Sequence, residues 1–320
     1  MSKVKVFIDG SEGTTGLKIF DRLSTRDDIE LIKIDSELRK DPNERAKCIN
    51  ASDLTFLCLP DVASRESVSL VTNDKTVIID TSTAHRTDDN WAYGFPELSS
   101  EFESKIKSSK RIAVPGCHAS GVIALTYPLI KAGVINKDYP LVAYSLTGYS
   151  GGGKKMIAEY ESADRSKYLD SPRAYGLTQA HKHLPEIKKV CGLSAEPVFC
   201  PIVADYYSGM ETTVSLTKSL IGNLSKEKIY EIYKEHYEGQ AFVKVASLDG
   251  IDEGFDKFIP SNAFSGRDDM LIIVNGNDER VTVSALFDNL GKGASGAAIE
   301  CMNIACGFEK TKGLVIGTKE

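Results

Sequence analysis

The segment Val114-Pro-Gly-Cys-His-Ala-Ser-Gly121 sets a thiol beside an imidazole, and Ala180-His-Lys-His-Leu-Pro-Glu186 adds two imidazoles and a carboxylate. A cysteine in such company is a nucleophile, half of a metal site or a packed thiol. Pro115-Gly116 closes a strand pattern and Ala119-Ser-Gly121 opens a helical one, so Cys117 falls at a helix N-terminus. The positive end of a helix lowers a thiol pKa and favours thiolate. The carboxyl end of a parallel strand is also where α/β sheets bind ligands, so a nicotinamide ring bound there could meet a thioester on this sulfur.

A nucleophile needs a base, and the chain has five histidines: His85, His118, His181, His183 and His236. His118 follows Cys117 directly, which turns its side chain to a different angle around the new helix. His181 and His183 would share one face if extended, and Glu186 lies three residues beyond His183, where a carboxylate can orient an imidazole and fix its tautomer. The spacings among these residues supply no third ligand cluster, so no metal is expected. Of the other cysteines, Cys48, Cys58, Cys301 and Cys306 read as small buried hydrophobes, and Cys191 and Cys200 lack ionisable company. An odd total of seven with no C-x-x-C pair implies reduced thiols.

Gly148-Tyr-Ser150-Gly151-Gly-Gly153-Lys154-Lys155 satisfies G-x-x-x-x-G-K between a strand pattern and a helical one. Lys155 stands where a nucleotide hydrolase needs Ser or Thr to hold Mg²⁺, which argues against ATP chemistry. Consecutive glycine N–H groups with two lysines still form an anion cradle, making Ser150 and Gly151 candidates for a substrate phosphate or carboxylate. A glycine hairpin with solvated lysines accounts for the same residues.

Elements must hold these groups. "KVKVFID" (3–9) reads as a strand, "GSEGTTG" as a turn and "LKIFDRLST" as a helix, and the alternation of strand and helix runs on to about residue 116. Gly10-Ser11-Glu-Gly13-Thr14-Thr15-Gly16 is thereby a dinucleotide turn in its proper place, with glycines for close backbone approach and a helix end for pyrophosphate. Asp35 is expected at the end of the second strand, where a carboxylate would hold an NAD ribose, but Ser36, Arg39 and Lys40 could hold a 2′-phosphate, so NAD and NADP both stand.

The expected fold is α/β: a Rossmann-type domain over residues 1–116, completed by a C-terminal helix over 290–320, and an α+β domain over 117–289 with a mainly antiparallel sheet. A sheet-rich second domain could supply a symmetric interface, and a homodimer or homotetramer is expected. The net charge of −6 without a basic block argues against nucleic acid, and no apolar run reaches the roughly 18 residues of a membrane span. The opening residues lack the pattern of a secretory signal, so the expected setting is the cytoplasm.

The motifs "FIDGSEGTTG", "LCLPD" (57–61), "IDTSTAHR" (79–86), "YGFPEL" (93–98), "VPGCHASG" (114–121), "GYSGGGKKMI" (148–157), "AHKHLPE" (180–186) and "NLGKGASGAA" (289–298) together resemble the N-acetyl-γ-glutamyl-phosphate reductases of arginine biosynthesis, in their shorter form. The likeness covers nearly the whole chain. It implies NADPH-dependent conversion of an acyl phosphate to N-acetylglutamate 5-semialdehyde and phosphate. Carried over, Cys117 attacks the acyl phosphate, His183 is the acid/base with His181 the lesser candidate, Arg86 binds a substrate carboxylate or phosphate, and Asn289 meets the nicotinamide, Gly291 and Gly293 leaving room for its ring. The rival readings are another acyl-phosphate reductase, acting on aspartyl phosphate or a triose acid phosphate, and a noncatalytic NAD(P)-binding regulator.

Overall fold

The structure, a computed structural model, describes residues 3–317. The chain divides into two compact units, one formed by residues 1–116 and 294–314, the other by 117–293 and 315–320.

The first unit opens with strand β1 (Val4–Asp9), whose alternation puts Val6 and Ile8 on one face and Phe7 on the other, all buried. Both faces of a parallel sheet are covered, so both must be apolar. Next come α1 (Thr14–Ser24), β2 (Ile29–Ile32), α2 (Pro42–Ala51), β3 (Leu54–Leu57), α3 (Asp61–Ser69), β4 (Val77–Asp80), β5 (Ala92–Tyr93), α4 (Ser100–Ser108) and β6 (Arg111–Ala113). The strands pair in the order β2-β1-β3-β4-β6-β5, and every pairing is parallel. α1 buries Gly16, Ile19 and Leu23 at helical spacing. α2 starts sharply because the Asp41 carboxylate accepts the N–H groups of Asn43 and Glu44 and Pro42 occupies the first turn.

One face of this sheet packs Val6, Ile8, Ile79 and Ile112 with Ala298, Ile299 and Met302 of the closing helix, Gly296–Cys306. Full burial of each such aliphatic side chain contributes about 1.5–3 kcal/mol. The closing helix is shorter than the expected 290–320. A π-type turn (Gly291–Ser295) precedes it, Gly307 ends it in the left-handed conformation at φ +71°, and residues 318–320 lie outside the described ones.

The second unit begins with α5 (Cys117–Lys131) and continues through β7 (Val142–Gly148), α6 (Gly153–Glu161), β8 (Arg173–Ala174), α7 (Leu184–Cys191), β9 (Val198–Ala204), β10 (Met210–Thr217), α8 (Lys226–His236), β11 (Val243–Val245), β12 (Met270–Asn277) and β13 (Arg280–Phe287). Its seven-stranded sheet runs β11-β12-β13-β10-β7-β9-β8 and is mixed: β11/β12 and β7/β9 are parallel, and the other pairings are antiparallel. α5 packs on β10 and β13 and is buried along nearly its whole length. Pro128 inside it cannot donate to the carbonyl of Ala124, and the Tyr237 hydroxyl takes over that acceptor at 2.8 Å.

Candidate active site

Cys117 is the first residue of α5, reached from β6 through Val114-Pro115-Gly116, and it is half-buried. Its surroundings leave no room for added carbon. A Cβ on Gly293 would lie 2.9 Å from the Cys117 Cβ, and one on Gly291 would lie 1.9 Å from the Arg267 carbonyl oxygen. The space these two glycines open is therefore filled by the chain itself, rather than kept for a ring.

His183 is the N-cap residue of α7, which packs against α5. His181 and His183 are not extended: His183 has φ −88° and ψ −11°, a turn that brings the two rings to 4.8 Å between centroids. The His183 N–H donates to His181 Nδ1 at 3.3 Å. The His118 ring stands 5.7 Å from that of His183 and 5.6 Å from that of His181, so the thiol's own neighbour joins the two segments. His183 is 4% exposed and Glu186, one turn later, 1%. A carboxylate at the first turn of a helix is in its favoured place.

Burial acts on two of these imidazoles in the same direction. Burial pushes His118 down to about 3, with the charges of His181 and Lys182 adding to the effect. His181 is lowered in the same direction by burial and then by Lys182. His118 is therefore no ready proton carrier near neutrality. His118 instead makes two side-chain contacts, Nδ1 with Ser145 Oγ at 2.8 Å and Nε2 with the Tyr175 hydroxyl at 2.5 Å. It is held in place by both ring nitrogens.

The dinucleotide turn lies in the first unit. Gly10 adopts φ +88°, and a Cβ there would stand 2.4 Å from the Cys58 carbonyl oxygen; one on Gly16 would stand 2.3 Å from the carbonyl oxygen of Gly10. Gly13 is the N-cap of α1, and no side chain caps that helix. Ser11, Thr14 and Thr15 fill the rest of the turn and are partly exposed. Backbone geometry and helix end both suit a pyrophosphate. Asp35 falls three residues past the end of β2, in a turn where its carboxylate accepts the Glu37 N–H at 2.9 Å, so the second strand is shorter than expected. Ser36 is exposed, and exposed Arg39 pairs with Glu12 of the glycine turn.

Gly148–Lys155 has the expected strand, turn and helix, but its amides are engaged. Gly148, Tyr149 and Ser150 donate to the carbonyls of Gly209, Tyr206 and Tyr207 at 2.9 to 3.0 Å. Asn289 then locks the turn: its amide nitrogen donates to Ser150 Oγ at 3.0 Å and its amide oxygen accepts the Gly209 N–H at 3.0 Å. The amide expected against a nicotinamide thus ties its own unit together. Gly151, Lys154 and Lys155 are exposed.

Arg86 is buried in the first unit, where Nε donates to the Val114 carbonyl at 2.8 Å and Nη2 to the Thr81 carbonyl at 2.9 Å. The loop before it is ordered by Asp80, whose carboxylate accepts from Ser64 Oγ and from the Ser82 N–H and hydroxyl, and meets His85 Nδ1 at 2.6 Å. Burial pushes the Asp80 carboxyl up, but the hydrogen bonds from His85, Ser64 and Ser82 outweigh it and hold it below its ordinary range. Arg86 therefore anchors the segment that leads into Cys117. Sequence reasoning missed Tyr175, Ser145 and Thr212. Nothing local marks them, because Tyr175 and His118 are 57 residues apart and meet only through packing.

Residues 5–106 match the semialdehyde dehydrogenase NAD binding domain, and residues 117–289 the semialdehyde dehydrogenase dimerisation domain. An N-acetyl-gamma-glutamyl-phosphate reductase of Chelativorans sp. is 44% identical over 94% of this chain and 97% of its own. One from Trichormus variabilis is 41% identical over 98% of this chain and all of its own. Among solved structures, aspartate semialdehyde dehydrogenase II of Vibrio cholerae superposes with a TM-score of 0.70 at 15% identity, covering 96% of this chain and 99% of that one. The enzyme of Francisella tularensis does so at 0.70 and 15%, covering 94% and 99%. At that identity the structures speak for the fold alone.

Proposed function

The chain belongs to the semialdehyde dehydrogenase family, among its N-acetyl-gamma-glutamyl-phosphate reductases, and from that premise we propose how its own residues carry out the reaction. The reaction is reductive dephosphorylation of N-acetyl-γ-glutamyl phosphate to N-acetylglutamate 5-semialdehyde and phosphate, a step of arginine biosynthesis in the cytoplasm. A nicotinamide nucleotide on the Gly10–Gly16 turn supplies hydride when bound. NADP is the form proposed, with Ser36 and Arg39 beside that turn to meet its 2′-phosphate.

Cys117, as thiolate, adds to the acyl carbon, phosphate departs, and a thioester remains on the sulfur. His183 takes the thiol proton, gives it to the oxygen that gains charge when the thioester is reduced, and takes it back as the aldehyde forms and thiolate leaves. Glu186 orients that imidazole, and His181 shapes the turn by accepting the His183 N–H. Ser150 and Gly151 border the substrate, with Lys154 and Lys155 drawing its negative charge towards the turn. Arg86 keeps the approach to Cys117 in register and offers positive charge to a substrate carboxylate or phosphate. The observation that carries this reading is a thiol at the start of α5, with a buried imidazole at the start of the helix packed on it.

Two copies join through the open face of the second unit's sheet, where Val142 and Tyr144 of β7 lie in register with Val198 and Cys200 of β9, all exposed. Apolar residues aligned on adjacent strands fit a self-complementary contact.

The test is the reverse assay. Wild type is expected to reduce NADP with N-acetylglutamate semialdehyde only when phosphate is present, and less well with NAD. Cys117→Ala is expected to lose turnover while binding cofactor normally; a Cys117→Ala protein that still turns over contradicts the mechanism.

A further inference from the structure

The apolar layer between β1 and α2 breaks off beside the dinucleotide turn. On β1, Phe7 packs with Cys48 and Ile49 of α2 and with Leu57 and Ile78. The next position on the same strand face is Asp9, and the preceding turn of α2 brings Arg45. Strand and helix periods both call for apolar side chains there, yet the positions hold a carboxylate and a guanidinium, 4% and 5% exposed. Arg45 Nε and Nη2 donate to Asp9 Oδ2 at 3.2 and 3.1 Å, and Nη1 donates to Glu66 Oε2 at 3.0 Å. Nη2 also donates to Ser67 Oγ, which itself stands 2.8 Å from Asp9 Oδ2. β1, α2 and α3 thus meet at one guanidinium, against the residue that leads into Gly10.

A buried pair of this kind is a poor device for stability alone, since apolar side chains of similar volume often hold a fold as well or better, whereas a guanidinium fork fixes direction and distance. What it fixes can be followed along the main chain. The Arg45 N–H donates to the Asp41 carbonyl at 3.0 Å, the Asp41 N–H to the Leu38 carbonyl at 2.8 Å, and the Leu38 N–H to the Asp35 carbonyl at 3.0 Å. The Asp35 carboxylate accepts the Glu37 N–H, and that of Asp41 accepts the N–H groups of Asn43 and Glu44. The segment bearing Ser36 and Arg39 is therefore joined to Arg45 by unbroken steps. At the other end, the Asp9 carbonyl accepts the Cys58 N–H at 2.8 Å, and Arg39 pairs with Glu12 of the glycine turn. The Arg45–Asp9 contact closes a ring between that turn and the segment beside it.

We propose that Arg45 is a positioning residue of the cofactor site: pinned to Asp9 and Ser67, it holds the segment bearing Ser36 and Arg39 at the distance from the Gly10–Gly16 turn that a 2′-phosphate requires, and so governs the choice between NADP and NAD. The pyrophosphate is common to both nucleotides and is met by the turn itself. Only the 2′-phosphate needs a second group of donors at a set distance from the first, and a misplaced guanidinium loses the directed contact that makes it selective. The inference rests on the reading of NADP as the cofactor, with Arg39 beside its 2′-phosphate.

The test is Arg45→Lys, which keeps the charge but loses the fork that reaches Asp9, Glu66 and Ser67 at once. Dissociation constants for NADPH and NADH are read by fluorescence titration of the full chain. NADPH is expected to bind about tenfold more weakly and NADH to stay within about twofold of wild type, so the preference for NADPH falls. At saturating NADPH, kcat is expected to stay within about twofold. Loss of packing alone would weaken both nucleotides together and leave their ratio where it was; that result, or no change at all, overturns the proposal. In an Arg39→Ala background, Arg45→Lys is expected to cost less than about threefold in NADPH affinity, because its effect runs through Arg39, and a further loss of about tenfold there overturns the proposal. Should Arg45→Lys not fold, Asp9→Val with Arg45→Met removes the pair without leaving a lone buried charge; the same fall in the ratio is expected, and an unchanged ratio overturns the proposal. Wild type that binds NADH as tightly as NADPH overturns the cofactor reading and this inference with it, whereas a wild-type preference that Arg45→Lys leaves unchanged overturns the inference alone.

Discussion

The chain builds a strand, a glycine turn and a helix twice, at Gly10–Gly16 and at Gly148–Lys155, and the two turns use their backbones in opposite ways. In the first unit the turn folds on itself, Gly13 N–H to Gly10 carbonyl at 3.1 Å, and the helix behind it has no side-chain cap. In the second unit the N–H groups of residues 148, 149 and 150 are engaged by the 206–209 segment, and Asn289 fastens the turn from its side chain. Similar glycine spacing thus yields a turn suited to a pyrophosphate in one unit and an internal brace in the other. The lesson is that a glycine motif identifies an anion site only after its amide donors have been traced.

The largest expected effect separates the turns directly. Gly10→Ala combines a left-handed φ, which costs a side chain about 1–3 kcal/mol, with overlap on the Cys58 carbonyl. Cofactor affinity, read by fluorescence titration, is expected to drop by at least about a hundredfold. Equal cofactor binding in this variant would erase the distinction between the turns. Asn289→Ala is the matching change in the second turn: it leaves the Gly209 N–H and Ser150 without their partner and is expected to cost about 1–3 kcal/mol in denaturant unfolding. It should slow turnover while leaving cofactor affinity within about twofold.

Acid sharpens the same contrast between units. His118 binds a proton near 6.5 when unfolded but only near 3 when folded, so the unfolded state takes up more protons between those values. Stability of the second unit is therefore fully present above about pH 6.5 and falls as pH drops towards 3, by up to about 1.4 kcal/mol per pH unit. In the first unit the hydrogen bond from Arg26 holds Asp28 below its ordinary 3.8, and that contribution is lost only below this value. Tyrosine fluorescence of the second unit is expected to change at higher pH than the emission of Trp91 in the first.

Periodicity made the first unit legible: strand and helix alternate from β1 to β4, with burial on both faces, although β5 follows β4 without an α-helix between them. The second unit's mainly antiparallel sheet was legible as several adjacent strands with few helices, but its two parallel pairings, β7/β9 and β11/β12, were not. α7 was missed although its signals are present, Pro185 at the start, Glu186 in the first turn and Gly192 at φ +68° after the end. The short alternation of His181 and His183 read as extended because two residues carry no helical period. At the site, Cys117 stands out by residue type and position and His181 and His183 stand out only as a pair, His183 being preferred through the resemblance alone. Tyr175, Ser145 and Thr212 do not, since a hydroxyl gains meaning only from a partner that tertiary packing delivers.

The most direct measurement of the central claim is intact-protein and peptide mass spectrometry after mixing the enzyme with N-acetyl-γ-glutamyl phosphate in the absence of reduced cofactor. The account expects one N-acetylglutamyl group on Cys117, discharged as aldehyde when NADPH is added. Turnover with no acyl group ever found on Cys117, under conditions where a thioester survives, would contradict it.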